Sequence, residues 1–251
     1  MGHGFIDRYS RLDSYAHRWD PRAKIVLVLF FVVVVVTTPP QHLLAFVVYA
    51  GMLLWGVALS RVPLRPLVTR TLTVLPFSVL VAVGLPFIRG GATVTVGGLA
   101  LSVTGLWLFV GTTIKSLLSA AALILLVATT PFHRLLDGFR RLGVPRFFVD
   151  LLTLTYRYLF LLIEEGTRLR RAAVARGYDP KWLPQTIIIG RLVGNLFLRS
   201  YERAERVYGA MRLRGFNGQL PTPVASPCRL SEILGLVIIM GVLVTVRLWV
   251  Q

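Results

Sequence analysis

The chain has 251 residues, 55% of them hydrophobic and 16% charged, with mean hydropathy +0.69 and net charge +17. That composition reads as an integral membrane protein, and the lone Cys228 excludes an internal disulfide framework or a Cys-based zinc site. The basic residues alternate with long apolar runs, which fits the positive loops of a membrane protein rather than a nucleic-acid groove.

Residues 1–24 are polar and basic, carrying Arg8, Arg11, Arg18, Arg22 and Lys24. No small-residue cleavage pattern follows the first apolar run, so the first span is expected to be a retained anchor. That run, Ile25 to Val36, is short, but with its flanks it can cross a bilayer, which needs about 20 residues. Thr37-Thr38-Pro39-Pro40 makes an uncharged turn before a second span, Leu43 to Leu59. Arg61, Arg65 and Arg70, with Pro63 and Pro66, mark a basic loop. A third span, Leu72 to Ile88, should be kinked by Pro76 and Pro86. Alternation around Gly97-Gly98, from Thr93 to Val103, is a hairpin signal. Leu106 to Ala128 is the fourth span and Ile233 to Val250 the last.

The region between these last two spans is basic and amphipathic. A short helix from Phe132 to Leu142 ends at Gly143 and Pro145; a long one follows from Asp150 to Gly177. Pro184 suits the first turn of another, which reads through Ile187, Leu192, Leu196 and Leu198 with arginines interleaved. Such helices fit the membrane surface or the space beneath it. The expectation is an all-α polytopic membrane protein with about five transmembrane helices and two or three amphipathic ones. Residues 1–130 hold an N-terminal segment and four spans, 131–228 the amphipathic helices, and 229–251 the last span. Lys and Arg are sparse at 37–42 and 89–104 and dense elsewhere between spans, so the N-terminus and the amphipathic region should be cytoplasmic.

Catalytic groups are scarce. Eleven acidic residues all fall outside the spans, and His3, His17, His42 and His133 are scattered without ligand spacing. No phosphate loop, nucleophile elbow or carboxylate pair stands out. An amino-terminal Met1-Gly2-His3 chelate would need an initiator Met that is usually removed before Gly, so neither metal nor cofactor is expected. Lys115, near the middle of the fourth span, is the clear intramembrane charge. A group at that depth is a functional suspect; snorkelling or a bond to a neighbouring carbonyl is the structural alternative.

The most telling pattern is duplicated. Glu164, Arg168, Ala172 and Arg176-Gly177-Tyr178 recur 38 residues on as Glu202, Arg206, Ala210 and Arg214-Gly215-Phe216. Residues four apart share one helix face, so each copy is a striped helix tipped by Arg and Gly. Arg beside a helix C-terminus with Gly after it is also an ordinary way to end a helix. Two matched copies favour a pair of docking tips.

At these residues the chain resembles the T component of energy-coupling factor transporters, which carries two Ala-Arg-Gly-like motifs at the ends of cytoplasmic coupling helices. The matches are Ala175-Arg176-Gly177 and Leu213-Arg214-Gly215, the second departing at Leu213. The chain is most similar to the cobalt-type family, CbiQ, through Asp20-Pro21-Arg22-Ala23-Lys24, Ala128-Thr129-Thr130-Pro131-Phe132, Arg140-Arg141-Leu142-Gly143-Val144-Pro145 and Leu154-Thr155-Tyr156-Arg157-Tyr158. The resemblance implies a non-catalytic subunit of a bacterial inner membrane, with two ATPase subunits and a metal-binding S component as partners, a lipid bilayer around it and no nucleic acid. It further implies that Arg176 and Arg214 each enter a groove on one ATPase, which hydrolyses the ATP. Nickel or a vitamin is the alternative cargo. A stand-alone secondary transporter or integral membrane enzyme is the alternative class; the former would show repeated halves and polar groups near the midplane.

Overall fold

Asp20 caps the first described helix: its side chain accepts from the Arg22 amide at 2.9 Å, and Pro21 fills the first helical position. The computed structural model describes residues 19–60, 62–87, 93–96, 99–178, 186–218 and 230–249. Nine helices are described: α1 (Pro21–Thr37), α2 (Leu43–Ser60), α3 (Leu64–Leu72), α4 (Leu75–Ala82), α5 (Val103–Thr129), α6 (Phe132–Arg141), α7 (Arg146–Ala175), α8 (Thr186–Leu213) and α9 (Leu230–Trp249). A 3-10 turn at Leu85–Phe87 and one antiparallel hairpin separate α4 from α5. The hairpin joins β1 (Thr93–Val96) and β2 (Leu99–Ser102), with Val96 opposite Leu99. Gly97 and Gly98, which signalled it, lie outside the described residues, as does Pro184.

Among the described residues, three helical stretches are long and apolar enough to cross a membrane: Leu43–Ser60, Leu64–Ala82 and Val103–Thr129. α1 has 17 residues, about 25 Å at 1.5 Å per residue, at the short end of the spanning range. The apolar part of α9, Leu234–Trp249, is also short. Outward faces of these helices are apolar: Val47 is 69% exposed and Val81 79%. In water such a surface would be costly; in hydrocarbon it is the lipid contact.

One boundary differs from expectation. The third span is two helices rather than one, and it begins at Leu64, inside the stretch read as a basic loop. Pro63 precedes the helix and Pro66 sits in its first turn, where a missing N–H costs nothing. Pro76 opens α4, and the stretch Leu64–Ala82 breaks just before it, as expected for a proline in that span.

Contacts divide the chain into two units, residues 1–142 with 226–251 and residues 143–225. In the first, Phe31, Val34 and Val35 of α1, Phe46 and Tyr49 of α2, Ala122 of α5 and Leu243 of α9 form one core. Tyr49 is fully buried, with Phe31 and Phe46 edge-on to its ring. Its hydroxyl lies 3.3 Å from Thr38 Oγ1, which donates to the Val34 carbonyl at 2.7 Å, so the buried polar atoms are satisfied. α6, grouped on sequence with the amphipathic region, packs on the start of α1: a Cβ on Gly138 would meet Ile25 and Pro21 within 3.2 Å. α1 and α5 run antiparallel, with Lys24 beside Thr129 at one end and Val36 beside Lys115 at the other.

Candidate functional site

The second unit consists of α7 and α8, 30 and 28 residues long. They meet where α7 carries Glu165-Gly166. A side-chain carbon on Gly166 would stand 3.8 Å from Leu196 of α8. Glu165 receives Arg199 of α8 at 2.5 Å and Arg168 of its own helix at 3.2 Å. Glu165 meets Arg199 while Gly166 meets Leu196, so as one chain advances the other retreats: the helices cross antiparallel. The Arg199 hydrogen bond, helped by the Arg168 charge, holds the Glu165 carboxyl below its ordinary range against a smaller opposing effect of burial. Beside the crossing lies a groove of about 440 Å³, lined among others by Leu154 and Tyr158 of α7 and Tyr201 and Tyr208 of α8.

Both helices end in the same way. Arg176 is the C-cap of α7 and Gly177 follows with φ +86°. Gly177 N–H donates to the Val174 carbonyl at 3.0 Å and Tyr178 N–H to that of Ala173 at 3.1 Å. In α8, Gly215 with φ +79° donates to Arg212 and Phe216 to Met211, each at 3.0 Å. These are two Schellman motifs, in which a left-handed residue satisfies the last carbonyls at little cost only when it is Gly. The backbone therefore closes without help from either arginine side chain. Arg176 and Arg214 are exposed, and neither side chain makes a hydrogen bond or ion pair among the described residues. Leu213, where the second motif departs from the first, is 92% exposed.

The antiparallel crossing sends the two tips to opposite ends of the pair. From Gly166 to Arg176 is about 15 Å of helix, and from Leu196 to Arg214 about 27 Å. Of the stripe residues, Glu202 and Arg206 form an i,i+4 pair at 3.9 Å, while Arg168 turns to Glu165. Glu164, Ala172 and Ala210 are exposed along the same faces, as is Ala175 beside the first tip. Sequence reasoning chose Glu164 and passed over its neighbour Glu165, which joins the helices. The available signal was an acidic doublet on a helix rich in Arg.

Lys115 reaches across to the end of α1. Its Nζ donates to the Val36 carbonyl at 2.8 Å, one of the carbonyls α1 leaves open at its end. Lys24 acts similarly at the other end of α5, donating to the Thr129 carbonyl at 3.3 Å and Thr130 Oγ1 at 3.2 Å from a buried position. Among the described residues no group of three or more His, Cys, Asp or Glu side chains is placed to hold a metal ion.

Comparison with known proteins agrees along most of the chain. Residues 13–224 match the family described as CbiQ, cobalt transport protein. The energy-coupling factor transporter transmembrane protein EcfT of Listeria innocua is 28% identical over 233 residues, covering 85% of this chain and 84% of that protein. The cobalt transport protein CbiQ of Rhodobacter capsulatus is 31% identical over 116 residues, 45% of this chain and 46% of its own length. The nickel permease LarQ of Lactiplantibacillus plantarum is 39% identical over 90 residues, 36% of this chain and 33% of that one.

Proposed function

We propose, from the premise that this chain belongs to the CbiQ family of cobalt transport proteins, that it is the coupling subunit of an energy-coupling factor ABC importer. It transmits ATP-driven motion of two ATPase subunits to a substrate-binding S component, and the cargo is cobalt ion. The observation that carries this reading is the pair of identically closed helix ends, each leaving an unengaged guanidinium in the open. A guanidinium presents a planar fork of donors suited to carboxylates and helix C-termini in a partner's groove. Arg176 and Arg214 thus each seat in one ATPase, with Ala175-Gly177 and Leu213-Gly215 shaping the tips. Closing of the ATPase pair displaces α7 and α8, and the Glu165–Arg199 contact makes them move together.

In this reading the N-terminus and the coupling helices are cytoplasmic, the spans cross a bacterial inner membrane, and ATP hydrolysis belongs to the partners. The test is reconstitution with ATPase subunits and S component in liposomes. Combined Arg176→Ala and Arg214→Ala should abolish ATP-driven cobalt uptake while the subunit still inserts. Uptake at the wild-type rate would refute the assignment.

A nickel cargo is the second reading, favoured by the likeness to a protein named as a nickel permease. Parallel uptake of radioactive cobalt and nickel by the same liposomes separates the two.

A further inference from the structure

The end of α1 gathers positive charge that no described carboxylate answers. Lys115 of α5 donates to the Val36 carbonyl at 2.8 Å, and Arg247 of α9 donates through Nη2 to the Thr37 carbonyl at 3.1 Å. The two carbonyls are consecutive, so an ammonium and a guanidinium from different helices converge on one helix end. The partial negative charge of a helix C-terminus, about half a unit, offsets only part of two full charges. Arg247 Nη1 is buried without a hydrogen-bond partner. The described carboxylates of this unit lie at the opposite end of α1. Asp20 caps its start, Glu232 accepts from the Asp20 amide at 3.2 Å, and Asp137 precedes the glycine packed against Pro21.

Depth bears on what can answer this charge. Measured up α1 from its Asp20 cap, the pair stands about 25 Å away, near the far boundary of a hydrocarbon core about 30 Å thick. Gln41 and His42 in the adjoining turn are exposed and polar, as residues at an aqueous boundary are. Lys115 is therefore mid-helix on α5 but not mid-membrane, because α5 has 27 residues and overshoots α1. An ammonium whose Val36 bond uses one of its three N–H donors, beside a guanidinium at headgroup depth, is a donor set for a phosphate.

We infer that Lys115 and Arg247 form a binding site for an anionic phosphate group, supplied by a phospholipid headgroup. The assignment to the outer leaflet rests on the orientation proposed above; the site itself is independent of the ATPase partners and is tested without them. The full-length chain, purified in non-ionic detergent, is offered equal amounts of phosphatidylglycerol and phosphatidylcholine and read by native mass spectrometry. The anionic lipid should be retained in excess. Lys115→Gln with Arg247→Gln keeps amide donors for the two carbonyls and should lower that retention about thirtyfold, with phosphatidylcholine unchanged. Equal retention of both lipids by the wild type overturns the site, as does undiminished phosphatidylglycerol in the double variant. A separate arm adds inorganic phosphate: displacement of the bound lipid at matched concentration would overturn the lipid assignment in favour of a soluble anion.

Discussion

The basic residues of the two units live under opposite rules. In the membrane unit, Lys24, Lys115 and Arg247 each donate to backbone carbonyls or a hydroxyl that the helices leave open. In the second unit, the glycines satisfy the helix ends, and Arg176 and Arg214 keep their donors exposed. Charge of one sign is thus structural where the backbone needs it and available where the backbone has been closed by other means. A count of arginines does not separate these uses; the fate of the neighbouring carbonyls does.

The contrast breaks most visibly at the tips. Arg176→Ala or Arg214→Ala alone should weaken ATPase binding by about thirtyfold or more, since truncating one partner of a buried charge pair costs roughly 2 kcal/mol or above. Subunit stability should stay within about 0.5 kcal/mol of wild type, as for exposed surface changes. Pull-down of the ATPases and thermal melting read the two halves. Lys24→Met reverses the pattern. It leaves a buried carbonyl and hydroxyl unpaired and should destabilise the membrane unit by about 1–3 kcal/mol, seen as a lower melting temperature. ATPase binding by the surviving folded fraction should be unchanged.

A smaller effect sharpens the comparison from the backbone side. Gly177→Ala or Gly215→Ala forces a side chain into the left-handed region, at a cost of about 1 kcal/mol, and should fray the last turn. Hydrogen exchange at the Tyr178 or Phe216 amide should quicken, and coupling should fall part-way even though the arginine remains.

The smallest effect concerns pH. Because Glu165 titrates below its ordinary range in the folded pair, its contribution is present above the unfolded value of about 4.3 and is lost as pH falls through the lower folded one. The distance between spin labels on α7 and α8 should therefore broaden in strong acid, and Glu165→Gln should remove that acid limb.

Legibility followed sequence range. The twin tips and the hairpin are written within a few residues each, as Arg-Gly-aromatic and alternation around Gly-Gly. The start of α3 was misread because Pro63 and Pro66 carry one meaning inside a helix and the reverse at its entrance. Glu165 to Arg199 and Lys115 to Val36 join residues 34 and 79 positions apart, and no local pattern reports such partners. Lys115 lies midway along α5, and nothing near it in sequence reports that the shorter α1 ends beside it.

The contact of Gly166 with Leu196 sits off-centre on both helices, and a pivot there would have unequal arms. Gly166 is ten residues from its tip, whereas Leu196 is eighteen from the other. If the pair pivots as a rigid body about that point, one end sweeps an arc nearly twice as long as the other, on the order of 27 against 15 Å of radius. In the coupling reading proposed above, two ATPase subunits gripping such a balance beam would feel different gearing, and their strokes would tilt as well as squeeze.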